Sequence, residues 1–175
     1  PPADNVVPRF GHFPFRWRPG VPEGQAQKGT DRILRVFSDS FGPTQEAAHE
    51  GVYRFRGREA ELMVVAGVPH DRAMDLMATC DVVIDQMSEF RIYGMAALEA
   101  MALARPVMSN YNPAWFPGTP VVRLGDQPGR QMQELARDAS LRRELGRRSR
   151  EFVLRVHEAT RVAQTTLDVY RTAFE

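Results

Sequence analysis

Short apolar runs alternate with amphipathic segments along most of this chain. Apolar residues dominate Leu62–Ala66, DVVID at 81–85, PVMSN at 106–110 and VVRLG at 121–125. Each run is short enough to be a buried strand, and helical periodicity fills most of the intervals between them. This alternation is typical of βαβ units. It predicts an α/β fold with one doubly wound parallel sheet.

Turn and capping residues mark the other predicted elements. Residues 1–27 are rich in Pro, Gly and aromatic side chains, which predicts a short strand near Val6–His12 and then an irregular loop. Thr30 or Asp31 is the expected N-cap of a first helix. Further helices are predicted over 69–80, over 93–103, and from Gly129 to residue 175 in two segments divided near His157.

Composition narrows the class of protein. The chain has 175 residues, 43% of them hydrophobic, and its 23 basic and 22 acidic side chains leave a net charge of +1. That balance does not favour nucleic acid or an anionic membrane as the main partner. One cysteine, Cys80, excludes an internal disulfide, and no apolar run is long enough to span a bilayer. We therefore expect a soluble, cytoplasmic protein without a transmembrane segment.

The segment Tyr93–Leu103 raises the first functional question. It is apolar on nearly every side, so the helix should be buried, yet it carries the carboxylate of Glu99. Gly94 stands where free N–H groups and the helix dipole favour an anion, and helix side chains lean toward that end. Glu99 could then accept hydrogen bonds from the vicinal hydroxyls of a ribose. Alternatively, it pairs with a nearby arginine or caps a loop.

Four sequence motifs resemble those of one enzyme family. YGMAALEAMALARPV is similar to the donor-binding segment of GT-B glycosyltransferases, in particular the retaining enzymes of glycosyltransferase group 1, or family 4. KGTDRILRVF resembles the Lys-Gly stretch of that family, CDVVIDQ its Ala-Asp-hydrophobic strand, and TTLDVYRTAF its final helix. The motifs follow the family's order. The resemblance extends from about residue 6 to the end of the chain.

The resemblance implies specific roles for several residues. Lys28 would neutralise the donor diphosphate, Gly94 would admit it to the helix end, and Glu99 would bind the ribose hydroxyls. The family's arginine that accompanies the lysine is either Arg16 or Arg18 here, or both are ordinary surface residues. Donor transfer would need no metal and no cofactor, since the nucleotide-diphosphate sugar is itself the substrate.

The chain departs from the family pattern around the donor sugar. Arg91 stands where the family has the first glutamate of its pair, eight residues before Glu99. Glu89 could replace that glutamate, Arg91 could bind a phosphate or an acidic sugar, or activity has been lost. Tyr93 belongs to the same vicinity. A second departure, Ala104 in place of glycine, is expected to matter little for the site.

Other polar and aromatic residues have weaker functional signals. Pro69 and His70 follow a predicted strand and could flank the base, while His12 could touch the donor or be structural. Asp81 and Asp85 lie at opposite ends of one strand, too far apart to share a metal ion. Trp17, Trp115 and Phe116 could stack on a base or an acceptor sugar, or cover the core or a partner domain.

The resemblance implies that this chain is the carboxy-terminal, donor-binding half of a two-domain transferase. Its acceptor-binding domain would precede it or be supplied by a partner chain, and the half alone would bind a nucleotide without turnover. The chain starts with PPADN rather than Met, which favours a missing upstream part. The alternatives are a non-catalytic assembly or sensing module, which Arg91 favours, and half of a sugar-nucleotide epimerase.

Overall fold

A computed structural model of the chain describes residues 5–18, 28–42, 44–89 and 92–174. Its centre is a seven-stranded sheet with the order β2-β3-β4-β1-β5-β6-β7. The strands are β1 (Arg9–His12), β2 (Gln45–His49), β3 (Val52–Arg56), β4 (Glu61–Val65), β5 (Val82–Gln86), β6 (Val107–Ser109) and β7 (Val122–Arg123). The helices are α1 (Thr30–Phe41), α2 (His70–Ala78), α3 (Met95–Ala102), α4 (Pro128–Arg137), α5 (Ala139–Val156) and α6 (Ala159–Phe174).

The four strands predicted from the apolar runs, together with β1, form the parallel part of the sheet. β1 begins at Arg9, within the strand predicted near Val6–His12. β1 pairs with β4 on one side and with β5 on the other, and β6 and β7 continue beyond β5. Helices follow β1, β4, β5 and β7 along the chain. The α/β class and the mostly parallel sheet are therefore confirmed, and the arrangement is Rossmann-like.

An antiparallel hairpin at one side of the sheet was not predicted. β2 pairs with β3, and β3 pairs with β4, both in the antiparallel sense. The turn between β2 and β3 consists of Glu50 and Gly51. Both residues have a positive φ, 46° and 80°, as a two-residue type I′ turn requires. β2 reads QEAAH, without alternation or β-branched residues, so its extended form depends on pairing with β3. The Glu-Gly pair was the one sequence feature that indicated a turn between two strands here.

Helices cover both faces of the sheet, which explains the apolar runs. Phe10, Leu62 and Ile84 face a cluster that includes side chains of α1 and α4. Met63 and Val83 face a second cluster with side chains of α2, α3 and α5. Successive strand residues point to opposite faces, so a strand covered on both sides needs apolar residues throughout.

The carboxy-terminal region is helical as predicted, with one division more than expected. The division at His157 is present, because α5 ends just before it. A further division falls at Asp138, whose carboxylate accepts a hydrogen bond from the Leu141 N–H at 2.8 Å and caps α5. α6 has no buried residue, and the apolar side chains of Val169, Tyr170 and Phe174 are exposed.

Ala104 has a left-handed backbone conformation, with φ of 56°. A Cβ there costs about 1–2 kcal/mol, whereas glycine loses about 0.5–1 kcal/mol through chain entropy. We expect Ala104→Gly to raise the free energy of unfolding by about 0.5–1 kcal/mol, measured by urea denaturation. Ala102→Gly, in the last position of α3, is the control and should lower it by about 1 kcal/mol. Equal losses in both variants would contradict this prediction.

Candidate functional site

The candidate site lies at the carboxyl edge of the parallel strands. The chain crosses from β1 to β4 on one side of the sheet and later continues through β5 on the other side. The loops after β1 and β5 therefore diverge at this point, which in open α/β sheets is the usual place for a ligand. Lys28 precedes α1 and Gly94 precedes α3, so two of the predicted phosphate-binding residues come from these two loops.

Four residues, which we call the Asp85 cluster, meet here: Lys28, Asp85, Gly94 and Ser109. The Asp85 side chain has no exposed surface, and its Oδ1 accepts a hydrogen bond from the Lys28 ammonium. Its Oδ2 accepts from the Gly94 N–H at 2.9 Å and from the Ser109 hydroxyl at 3.2 Å. A buried carboxylate requires partners of this kind, because an uncompensated charge in the interior is very costly.

Gly94 leaves space at the start of α3, although its backbone conformation does not require glycine. Its φ of −98° and ψ of −172° are open to any residue. A Cβ at this position would lie 3.2 Å from Lys28 Nζ and 3.6 Å from Asp85 Oδ1. The space that the missing side chain leaves at the start of α3 is thus bordered by an ammonium and a carboxylate.

Glu99 pairs with His70, another residue singled out from the sequence. The His70 Nε2–H donates to Glu99 Oε1 at 2.8 Å. The Glu99 side chain is 26% exposed and that of His70 73%, so the pair is open to solvent. The partner of Glu99 is therefore a histidine, and not the arginine that the sequence suggested as an alternative. Glu99 therefore contacts the first residue of α2 from within α3, and part of its side chain is exposed.

His12 is fully buried beneath this edge. Its Nδ1 lies 2.8 Å from the Ile84 carbonyl oxygen, and its Nε2 lies 3.0 Å from Thr30 Oγ1. A carbonyl oxygen only accepts, so Nδ1 carries the proton and Nε2 accepts the Thr30 hydroxyl. Burial lowers the pKa of His12 to about 4, which keeps the ring neutral near pH 7. His12 therefore joins β1 to β5 and α1 and has the structural role that the sequence left open.

Of the other charged candidates, the three that the structure describes are all at the surface. Arg16, Arg18 and Glu89 are exposed. Arg16 lies over the ring of Phe15, with its guanidinium carbon 5.3 Å from the ring centroid. Arg91 lies outside the described residues. Which of these cations or carboxylates would contact a donor therefore stays a prediction.

The aromatic candidates divide between the core and the surface. Tyr93 is buried, with its ring centroid 4.2 Å from that of Phe116 and 5.9 Å from that of Tyr111, and burial raises the pKa of Tyr93. Trp17 is buried as well, whereas Trp115 is 60% exposed. Of this set, Trp115 is the side chain that is available for stacking on a ligand.

The importance of Asp85 and Ser109 was missed at the level of sequence. The sequence pattern suggested only a metal site for Asp85, together with Asp81, and their separation argues against it. The Asp81 carboxylate is instead used at the opposite end of the strand, where it accepts hydrogen bonds from the Asn5 side chain and the Arg9 N–H at 2.7 Å each. Among the described residues, no group of three or more His, Cys, Asp or Glu side chains is placed to hold a metal ion. A charge inside the buried strand VVIDQ was the signal for Asp85.

A cavity of about 200 Å³ opens further along the same edge, beside α4. Its lining includes Met87, Asn110 and Leu124, which follow β5, β6 and β7, and the side chains of Arg32 and Arg123. It lies on the β6–β7 side of β5, whereas His70 follows β4 on the far side of β1. The carboxyl edge thus has polar groups on both sides of the Asp85 cluster.

Comparison with known proteins adds no family. No family model matches this chain, and no curated protein matches it. Within the part of the chain that the structure describes, no helix has the length and apolar character needed to cross a bilayer. The class defined by the fold is therefore a Rossmann-like α/β protein, and the assignment of a function rests on the site.

Proposed function

We propose that this chain is the donor-nucleotide-binding half of a GT-B-type glycosyltransferase. Joined to an acceptor-binding domain, it would transfer a sugar from a nucleotide-diphosphate donor. The observation that carries the proposal is the meeting of Lys28 with the N-terminus of α3, where a Cβ on Gly94 would lie 3.2 Å from Lys28 Nζ. An ammonium at a glycine-capped helix N-terminus is suited to a phosphate.

The proposed roles follow the geometry of the edge. Lys28 and the α3 N-terminus would neutralise the diphosphate that leaves during transfer, which is electrostatic stabilisation without a bound metal. Glu99, one turn further along α3 and partly exposed, would accept hydrogen bonds from the ribose hydroxyls. Its His70 partner, at the start of α2, would then border the base together with Pro69.

A non-catalytic assembly or sensing module is the second candidate. One contact favours it: the ammonium of Lys28 is already neutralised by the buried carboxylate of Asp85. A chain that has given up donor binding could keep such a pair for stability alone. Nucleotide binding that depends on the predicted residues distinguishes the two candidates.

The test is a calorimetric titration of the chain with UDP, GDP and ADP. We expect one nucleotide to bind, and Lys28→Ala and Glu99→Gln each to weaken it about 10- to 100-fold, because each removes a charged hydrogen bond. Glu46→Gln, on the outermost strand β2, removes an exposed carboxylate and should bind normally. Absence of binding by the folded chain would refute the proposal. So would binding that Glu99→Gln leaves unchanged.

A further inference from the structure

We propose that Asp85 is an internal anion that occupies the phosphate position of the candidate site and limits the affinity for phosphorylated ligands. The inference rests on the proposed function, since it concerns the same site. It assigns Asp85 a regulatory role: a phosphate enters only when this carboxylate gives up Lys28 and the α3 N-terminus.

The contacts of Asp85 are those that a phosphate at this site would need. One carboxylate oxygen accepts a hydrogen bond from the Lys28 ammonium. The other accepts hydrogen bonds from the Gly94 N–H at 2.9 Å and from the Ser109 hydroxyl at 3.2 Å. Cationic side chains, hydroxyl groups and the N–H groups at a helix N-terminus are also the usual phosphate ligands. The carboxylate therefore stands in for the anion in the free protein.

There is little room for both anions. The Asp85 side chain is completely buried, and the open space at Gly94 is bordered by Lys28 Nζ and Asp85 Oδ1, 3.2 Å and 3.6 Å from a Cβ built there. A diphosphate in that space would lie against a carboxylate, and like charges at such distances repel strongly in a site of low dielectric. Binding must therefore displace Asp85 from Lys28 or neutralise it.

This role can be separated from a positioning role. If Asp85 merely held Lys28 in place for a phosphate, removing its charge would weaken anion binding. If Asp85 competes with the phosphate, the same change strengthens binding, because Lys28 becomes free to pair with the ligand. The direction of the change in affinity decides between the two.

The experiment is a titration with inorganic pyrophosphate, which carries the anion without base or sugar. We expect Asp85→Asn to bind pyrophosphate at least tenfold more tightly than the unmodified chain. Asp81→Asn, at the opposite end of the same strand, loses the same charge and should bind like the unmodified chain. Equal or weaker binding by Asp85→Asn, or no binding by either protein, would overturn the inference.

A second measurement needs no variant and covers the case in which Asp85→Asn does not fold. The side-chain carboxyl ¹³C resonance of Asp85 in the unmodified protein should move as pyrophosphate is added. Binding that leaves this resonance in place would overturn the inference.

The two proposals fail in different ways. If Asp85→Asn strengthens pyrophosphate binding but UDP, GDP and ADP bind no more tightly than pyrophosphate, the donor function fails while the role of Asp85 stands. If a nucleotide binds in a Glu99-dependent way without moving the Asp85 resonance, the role of Asp85 fails while the donor function stands.

Discussion

Gly29→Ala should lower the free energy of unfolding by about 3 kcal/mol. Gly29 lies between Lys28 and α1 with φ of 68°, and a Cβ there costs about 1–2 kcal/mol in a left-handed conformation. That Cβ would also lie 2.9 Å from the carbonyl carbon of Met87 and 3.1 Å from the Ser88 nitrogen. Both are backbone atoms, so the loops must separate, at a further cost of about 1–3 kcal/mol.

Gly67→Ala is the matched control for this prediction. Gly67 has nearly the same φ, 69°, but nothing lies within 4 Å of the position of its Cβ. Alanine there should therefore lower the free energy of unfolding by about 1 kcal/mol only. Urea denaturation of the two variants measures the difference, and equal losses would show that the approach to Met87 and Ser88 is unimportant.

Gly29→Ala should also disturb the Asp85 cluster. The Lys28 carbonyl oxygen accepts a hydrogen bond from the Met87 N–H at 2.9 Å, which joins the loop before α1 to the loop after β5. Separating these loops at Gly29 moves Lys28 away from Asp85 and from the start of α3. The contacts of Gly29 are therefore part of what holds the predicted phosphate ligand in position.

Acidification from pH 7 to pH 4 should cost about 3 kcal/mol of stability through His12 alone. The pKa of His12 is lowered by burial from 6.5 to about 4. Between these values the unfolded chain binds a proton that the folded chain does not, so stability falls as the pH falls. The contribution is complete above about pH 6.5 and is lost through pH 4.

His12→Asn isolates this contribution. Asparagine retains an N–H donor for the Ile84 carbonyl but does not titrate. The loss of unfolding free energy between pH 7 and pH 4 should therefore be about 3 kcal/mol smaller in the variant than in the unmodified protein. His49→Gln is the control, because the His49 side chain is 83% exposed. A His12→Asn variant with the pH dependence of the unmodified protein would show that His12 is not the titrating group.

The hydrophobic pattern predicted the strands of the parallel sheet because both of their faces are buried. Val82–Ile84 and Leu62–Val65 are apolar throughout for that reason, and their patterns need no tertiary information. The hairpin of β2 and β3 lacked such a pattern, since its strands lie at one side of the sheet and take their conformation from each other. The break at Asp138 was likewise overlooked because a capping side chain interrupts a continuous helical pattern.

The site was predictable only in part. Lys28, Gly94 and Glu99 were identified from local motifs, and Lys28 and Gly94 do meet at the carboxyl edge. Their partners were not predictable, because Asp85 and His70 reach them from other loops and strands. Asp85 lies in β5, between the parallel neighbours β1 and β6, and α3 starts beside it.

The sequence by itself determined the class of this protein, an α/β fold with a mostly parallel sheet. Strands that are buried on both faces are apolar at successive positions, and such runs are visible in the sequence. Only the tertiary structure decided which polar groups share the carboxyl edge. Side chains far apart in the chain become neighbours there through strand order, and strand order is set by packing across the whole sheet. The charge that faces Lys28, the carboxylate of Asp85, is therefore a property of the fold and not of any local motif.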